Sequence, residues 1–100
     1  MSKFTLDWTS AAIADLKAAW DYIAIDNDVA ADRTIDRIQA AAEALTQFPK
    51  LGRMGTLRGS RELVVAGTPY RIVYEITRGL IQVRRVVHGA RDWPPKRRRA

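Results

Sequence analysis

The groups in this sequence that can do chemistry are mostly cationic. Arg61, Arg71, Arg84, Arg85 and Arg91 fall in the C-terminal half together with the single histidine, His88, and Arg53 and Arg58 precede them in a glycine-rich stretch. A guanidinium offers a fixed fork of donors that fits phosphate or carboxylate, and an imidazole exchanges a proton near neutral pH. The chemistry on offer is therefore anion recognition. The net charge of +6 hides its uneven division. Through Pro49 there are four basic and eight acidic residues, a balance of −4; from Lys50 onward there are thirteen basic and three acidic, a balance of +10. Such a field attracts a phosphate backbone or an acidic protein segment, in a salt-dependent way. With no cysteine, thiol catalysis and disulfides are excluded, and one histidine without cysteines argues against a structural zinc site. No cofactor is implied.

The elements that must position these residues are legible in the spacing. Phe4, Leu6 and Trp8 alternate with polar residues and predict a strand over Lys3 to Trp8. Thr9 or Ser10 can cap a helix running to about Asp26, with Ile13, Leu16, Trp20 and Ile23 as its buried stripe. Asp28 is read as the cap of a second helix that reaches Phe48 and is stopped by Pro49, with Ile35, Ile38, Ala42 and Leu45 facing the core. Lys50 to Ser60 has loop composition, rich in Gly and Arg. Three strands are predicted after it: Arg61 to Ala66, Tyr70 to Thr77 and Leu80 to His88. The turns between them, Gly67-Thr68-Pro69 and Arg78-Gly79, are too short for anything but an antiparallel meander. The expected fold is α+β, with the N-terminal strand completing the sheet and a helical hairpin covering one face. Alternation in the central strand turns Tyr70, Ile72, Tyr74 and Ile76 to the helices. Arg71, Val73, Glu75 and Thr77 fall on an open face, with Arg84 or Arg85 and His88 as neighbours of Arg71.

At 100 residues the chain is one domain. We divide it into a folded unit over 1–92 and a basic tail over 93–100, where Lys96 to Arg99 follow Trp93-Pro94-Pro95 without periodicity; partial disorder is expected there. No window approaches a membrane span and no secretory leader is recognisable, so a cytoplasmic location is expected.

Several segments, taken in order, resemble the RelE/ParE superfamily of toxins. They are Phe48-Pro49 at the end of the hairpin, Leu51-Gly52-Arg53-Met54-Gly55, Arg61-Glu62-Leu63, the run from Pro69 to Ile76, and that from Arg85 to Asp92. The resemblance covers nearly the whole chain. It implies a four-stranded antiparallel sheet, and an antitoxin partner of ParD or RelB type whose acidic C-terminal segment wraps the toxin. It also implies one of two activities. RelE-like members are ribosome-dependent ribonucleases that cut messenger RNA, and ParE-like members poison DNA gyrase without a known catalytic site.

For a nuclease, Arg71 matches the arginine that RelE-like enzymes carry in this strand. His88 would supply acid or base, and Arg61 and Arg91 would clamp phosphate. The paired lysines of the RelE pattern correspond here to Glu62 and Val64, and its C-terminal tyrosine to the region of Trp93, Pro94 and Pro95. The pair His88 and Asp92 also occurs in ParE-like toxins. Gyrase inhibition is accordingly the preferred reading and RNA cleavage the alternative; a third is an inactive toxin kept as a co-repressor with its antitoxin. Contact with a partner is assigned to Arg53, Arg58, Arg84, Arg85 and Trp93.

Overall fold

A computed structural model of the chain describes residues 4–89. The elements are β1 (Thr5–Trp8), α1 (Ser10–Ala24), α2 (Asp28–Ala44), β2 (Arg53–Met54), β3 (Arg61–Val64), β4 (Tyr70–Thr77) and β5 (Leu80–His88). Arg91, Trp93 and the basic tail lie outside the described residues, as does Lys3.

The α+β class and the antiparallel β3-β4-β5 meander are as expected. The four-stranded antiparallel sheet is not: the strands form one mixed sheet of five, ordered β1-β5-β4-β3-β2. β1 runs parallel to β5, with Thr5 opposite Leu80 and Trp8 opposite Val83. Most of the chain separates these two strands, so no short turn dictates their relative direction. The fifth strand comes from the Gly- and Arg-rich stretch, where Arg53 pairs with Glu62 and Met54 with Arg61.

Thr9 caps α1, accepting from the Ala12 N–H at 3.1 Å. The α2 cap is Asn27 and not Asp28: the Asn27 side chain accepts from the Ala30 N–H, while Asp28 stands in the first turn, where its charge suits the helix dipole. α2 also stops short of Phe48. From Leu45 to Gln47 the amides step back only three residues, to Ala42, Glu43 and Ala44, tightening the helix before Pro49 disfavours its continuation.

Ile38, Leu45, Ile72, Ile81 and Val83 are fully buried between the layers. At roughly 1.5–3 kcal/mol for each large apolar side chain removed from water, they are the main attraction between hairpin and sheet. The α1 stripe is rotated from the expected one. Ala12 and Ala19 face the core, with Leu16 and Ile23 packed beside them, whereas Ile13 is 56% exposed. Small residues at the contact bring α1 close to the sheet and push its larger side chains toward α2 and solvent.

Candidate functional site

β4 does point Tyr70, Ile72 and Tyr74 into the core, and Arg71 to the other side. On that outer face β3 contributes Glu62, opposite Val73, and Val64, opposite Arg71. Arg71 Nη1 donates to Glu62 Oε1 at 2.9 Å, with the two side chains only 23% and 9% exposed. The other carboxylate oxygen, Oε2, accepts from the Thr56 N–H at 3.4 Å. The segment from Gly55 to Ser60 is closed by Gly55 N–H donating to Ser60 O at 2.8 Å. Gly55 must lack a side chain there, since a Cβ would stand 2.5 Å from Ser60 Oγ and 3.1 Å from Glu62 Oε2. The outer face is thus partly roofed, which explains why Val73 is buried despite pointing away from the helices. Beside it lies a pocket of about 340 Å³, whose lining includes Leu57, Ser60, Val73, Glu75, Arg84 and Arg85.

The two arginines of β5 are also matched with carboxylates. Val73 is opposite Arg85 and Tyr74 opposite Val83, which leaves Arg84 as the extra residue of a β-bulge. Arg84 donates to Gln82 and lies 3.9 Å from Glu75, an exposed pair worth under about 1 kcal/mol. Arg85 reaches Asp15 of α1 with two hydrogen bonds, Nε at 2.7 Å and Nη2 at 3.1 Å. The same carboxylate accepts from the Val86 N–H at 2.9 Å. β1 ends opposite Val83, so Asp15 serves the edge that β1 leaves bare. Its bond to Arg85 raises the guanidinium pKa above the ordinary value.

The proposed nuclease residues do not converge. His88 is opposite Tyr70, on the helix side of the sheet, and their rings meet edge to face at 5.4 Å. Its Nδ1 is buried without a hydrogen-bond partner among the described residues, and the side chain borders a pocket with Asp15, Tyr22 and Tyr70. Arg61 is opposite Tyr74, again on the helix side, and donates to Gly52 O at 2.8 Å. Arg71 is on the face opposite to both. Arg91 lies outside the described residues.

Tyr74 fixes the turn that Arg61 supports. Its hydroxyl donates to Pro49 O at 2.7 Å and accepts from the Gly52 N–H at 2.9 Å. A Cβ on Gly52 would stand 2.8 Å from the Tyr74 ring, so the turn can approach only as glycine. Burial raises the Tyr74 pKa, against the smaller opposing effects of the Gly52 hydrogen bond and the Arg61 charge. The folded chain therefore keeps this proton at a pH where the unfolded chain, titrating near about 10, has lost it. Its contribution to stability is complete below that value and declines as pH rises beyond it. Tyr74→Phe is expected to cost about 1–3 kcal/mol at neutral pH by orphaning the Gly52 amide. The variant should also lose stability less steeply above about pH 10, as read from urea midpoints across that range. An unchanged alkaline slope would remove Tyr74 as its source.

Two exposed surfaces among the described residues bear on partner contact. Arg53 and Arg58 are exposed and in no ion pair among the described residues, beside Met54 at 69% and Leu57 at 42% exposure. The second is a groove of about 440 Å³ on the helical hairpin, lined by Ile13, Leu16, Trp20 and Ile35 with Lys17, Asp21 and Gln39. Leu16 and Ile35 also pack against the core, as expected, whereas Ile13 is turned outward because Ala12 and Ala19 make the contact with the sheet. No helix among the described residues is long and apolar enough to cross a membrane.

Comparison with known proteins gives this geometry its context. Residues 6–93 match the family model described as the ParE toxin of the type II toxin-antitoxin system parDE. The chain is similar to the toxin RelE2 of Caulobacter vibrioides, 43% identical over 84 residues, covering 84% of this chain and 93% of that one. Among solved structures, the chromosomal ParDE toxin-antitoxin system from P. aeruginosa contains a similar chain, with a TM-score of 0.79 and 26% identity over 86% of this chain and 96% of that one. The RelBE2 toxin-antitoxin complex from Mycobacterium tuberculosis shares the fold, with a TM-score of 0.67 at 22% identity, covering 86% and 98% of the two chains.

Proposed function

The chain belongs to the ParE toxin family and is the toxin of a type II toxin–antitoxin system, and from that premise we propose that it acts by binding DNA gyrase rather than by cutting RNA. The observation that carries this reading is the separation of Arg71 from His88. Acid–base cleavage of RNA needs a proton-transfer group and a charge-stabilising group within reach of one phosphate. Here they lie on opposite faces of the sheet, and Arg71 is matched with Glu62. Binding to a protein asks for none of that convergence. It asks for exposed basic and apolar side chains together, as Arg53, Met54, Leu57 and Arg58 provide at the β2 edge. Arg84 and Arg85 extend this surface with the parts of their side chains left exposed, while the partner contact expected of Trp93 falls outside the described residues.

The antitoxin, of ParD or RelB type, is proposed to bring an acidic, amphipathic C-terminal segment to the toxin in the cytoplasm. Its apolar side chains would enter the hairpin groove of Ile13, Trp20 and Ile35, and its carboxylates would face the basic half of the chain. The name RelE2 carried by the Caulobacter relative favours the second reading, ribosome-dependent RNA cleavage. Induction in cells lacking the antitoxin separates the two. Gyrase poisoning is expected to break chromosomes and induce the DNA-damage response while bulk messenger RNA stays intact. Early cleavage of messenger RNA on unbroken chromosomes would reject the reading.

A further inference from the structure

The pair formed by Glu62 and Arg71 has the composition of an occupied anion site. The anion is the Glu62 carboxylate, and its donors include a guanidinium on a neighbouring strand and the main-chain amide of Thr56, at 2.9 and 3.4 Å. A guanidinium joined by a loop amide is also how proteins hold a phosphoryl group. Arg71 Nε is buried with no hydrogen-bond partner among the described residues, so the single bond from Nη1 leaves donor capacity unused. With 23% of the Arg71 side chain exposed, the site borders solvent.

We propose that Glu62 is an internal substitute for a phosphate, a carboxylate that fills a phosphoryl-binding cradle made by Arg71 and the Gly55–Ser60 segment and so excludes phosphate from the outer face of the sheet. Glu62 is then a specificity-determining residue. It keeps Arg71 and the loop amide from taking a nucleic-acid phosphate at this face. The inference concerns the chain's own ion pair and holds whichever protein the toxin engages.

The test is chemical rescue of the full chain. In Glu62→Ala the cradle is vacated, and inorganic phosphate is expected to raise the melting temperature of this variant more than that of the wild type at matched ionic strength. The comparison removes the general stabilisation that phosphate gives any folded protein. The excess should disappear in the double variant Glu62→Ala with Arg71→Met. A second arm uses Glu62→Gln in case the alanine variant does not fold; its neutral amide is no longer held by the Arg71 charge and can be displaced from the cradle by a phosphate. Its affinity for a short single-stranded RNA, read by fluorescence anisotropy, should exceed that of the wild type by about tenfold to a hundredfold, the range for charged hydrogen bonds regained. Glu43→Gln, on the exposed surface of α2, makes the same change in net charge and should leave RNA affinity close to the wild-type value. Equal phosphate response in wild type and Glu62→Ala, or an RNA gain matched by Glu43→Gln or retained when Arg71 is also replaced, would overturn the proposal.

Discussion

Replacing Glu62 with alanine is expected to lower the stability of the chain by about 3–5 kcal/mol, the usual cost of removing one partner from a buried ion pair. The loss comes less from the missing attraction than from Arg71, whose charge would stay on a face roofed by the loop while its Nε already lacks a partner among the described residues. Domains of this size have total stabilities of about 5–15 kcal/mol, and each 1 kcal/mol moves the melting temperature by about 4–8 °C. The variant should therefore melt far below the wild type. Replacing both residues with apolar ones, Glu62→Leu with Arg71→Met, should recover most of the loss, because neither charge is then left without its counterpart. Denaturant titration of the wild type, Glu62→Leu, Arg71→Met and the double variant gives the coupling directly. A cost under about 1 kcal/mol for Glu62→Ala would mean that the pair behaves as a solvated surface contact.

Asp15→Ala is expected to cost about 2–3 kcal/mol through two losses of unequal weight. The larger is the Val86 amide, at the edge of β5 beyond the end of β1, which would be left without its acceptor. The smaller is the bidentate contact with Arg85, a side chain 40% exposed and therefore largely rehydrated once released. Asp15→Asn separates them, since its amide oxygen can still accept from Val86 but no charge remains for Arg85. It should lose less than half as much as the alanine variant. Hydrogen exchange at Val86 reports the edge itself, and should accelerate in Asp15→Ala to a rate set by local opening rather than global unfolding. Unchanged protection there would assign the edge to some other cover.

How much of this was legible in the sequence depended on the range of each contact. The meander was readable because its turns are short, and the inward set of β4 because strand alternation is local. β1 was assigned its sheet but an antiparallel direction, and it runs parallel to β5, since no short connection ties Trp8 to Val83. The rotation of α1 about its axis was misread because Ile13 and Trp20 are larger than Ala12 and Ala19, and a hydrophobic stripe draws attention to size where close packing selects smallness. The candidate site was least legible. Arg71, Arg84 and Arg85 were counted toward a positive field, yet each meets a carboxylate whose position depends on register or on tertiary packing. Asp15 and Arg85 come from the two halves that the charge count had set against each other. Arg53 and Arg58 were assigned to partner contact on composition alone, and they are the arginines that the β2 edge leaves exposed without an ion pair among the described residues.

Gyrase engagement through a surface, proposed here in place of RNA cleavage, is tested with purified components. The chain is titrated into gyrase and supercoiled plasmid, and the DNA is examined after the protein is denatured and digested. Linear plasmid that increases with toxin and requires gyrase is expected. Undiminished supercoiling with no linear product, alongside cuts in messenger RNA when the same preparation is added to translating ribosomes, would contradict it.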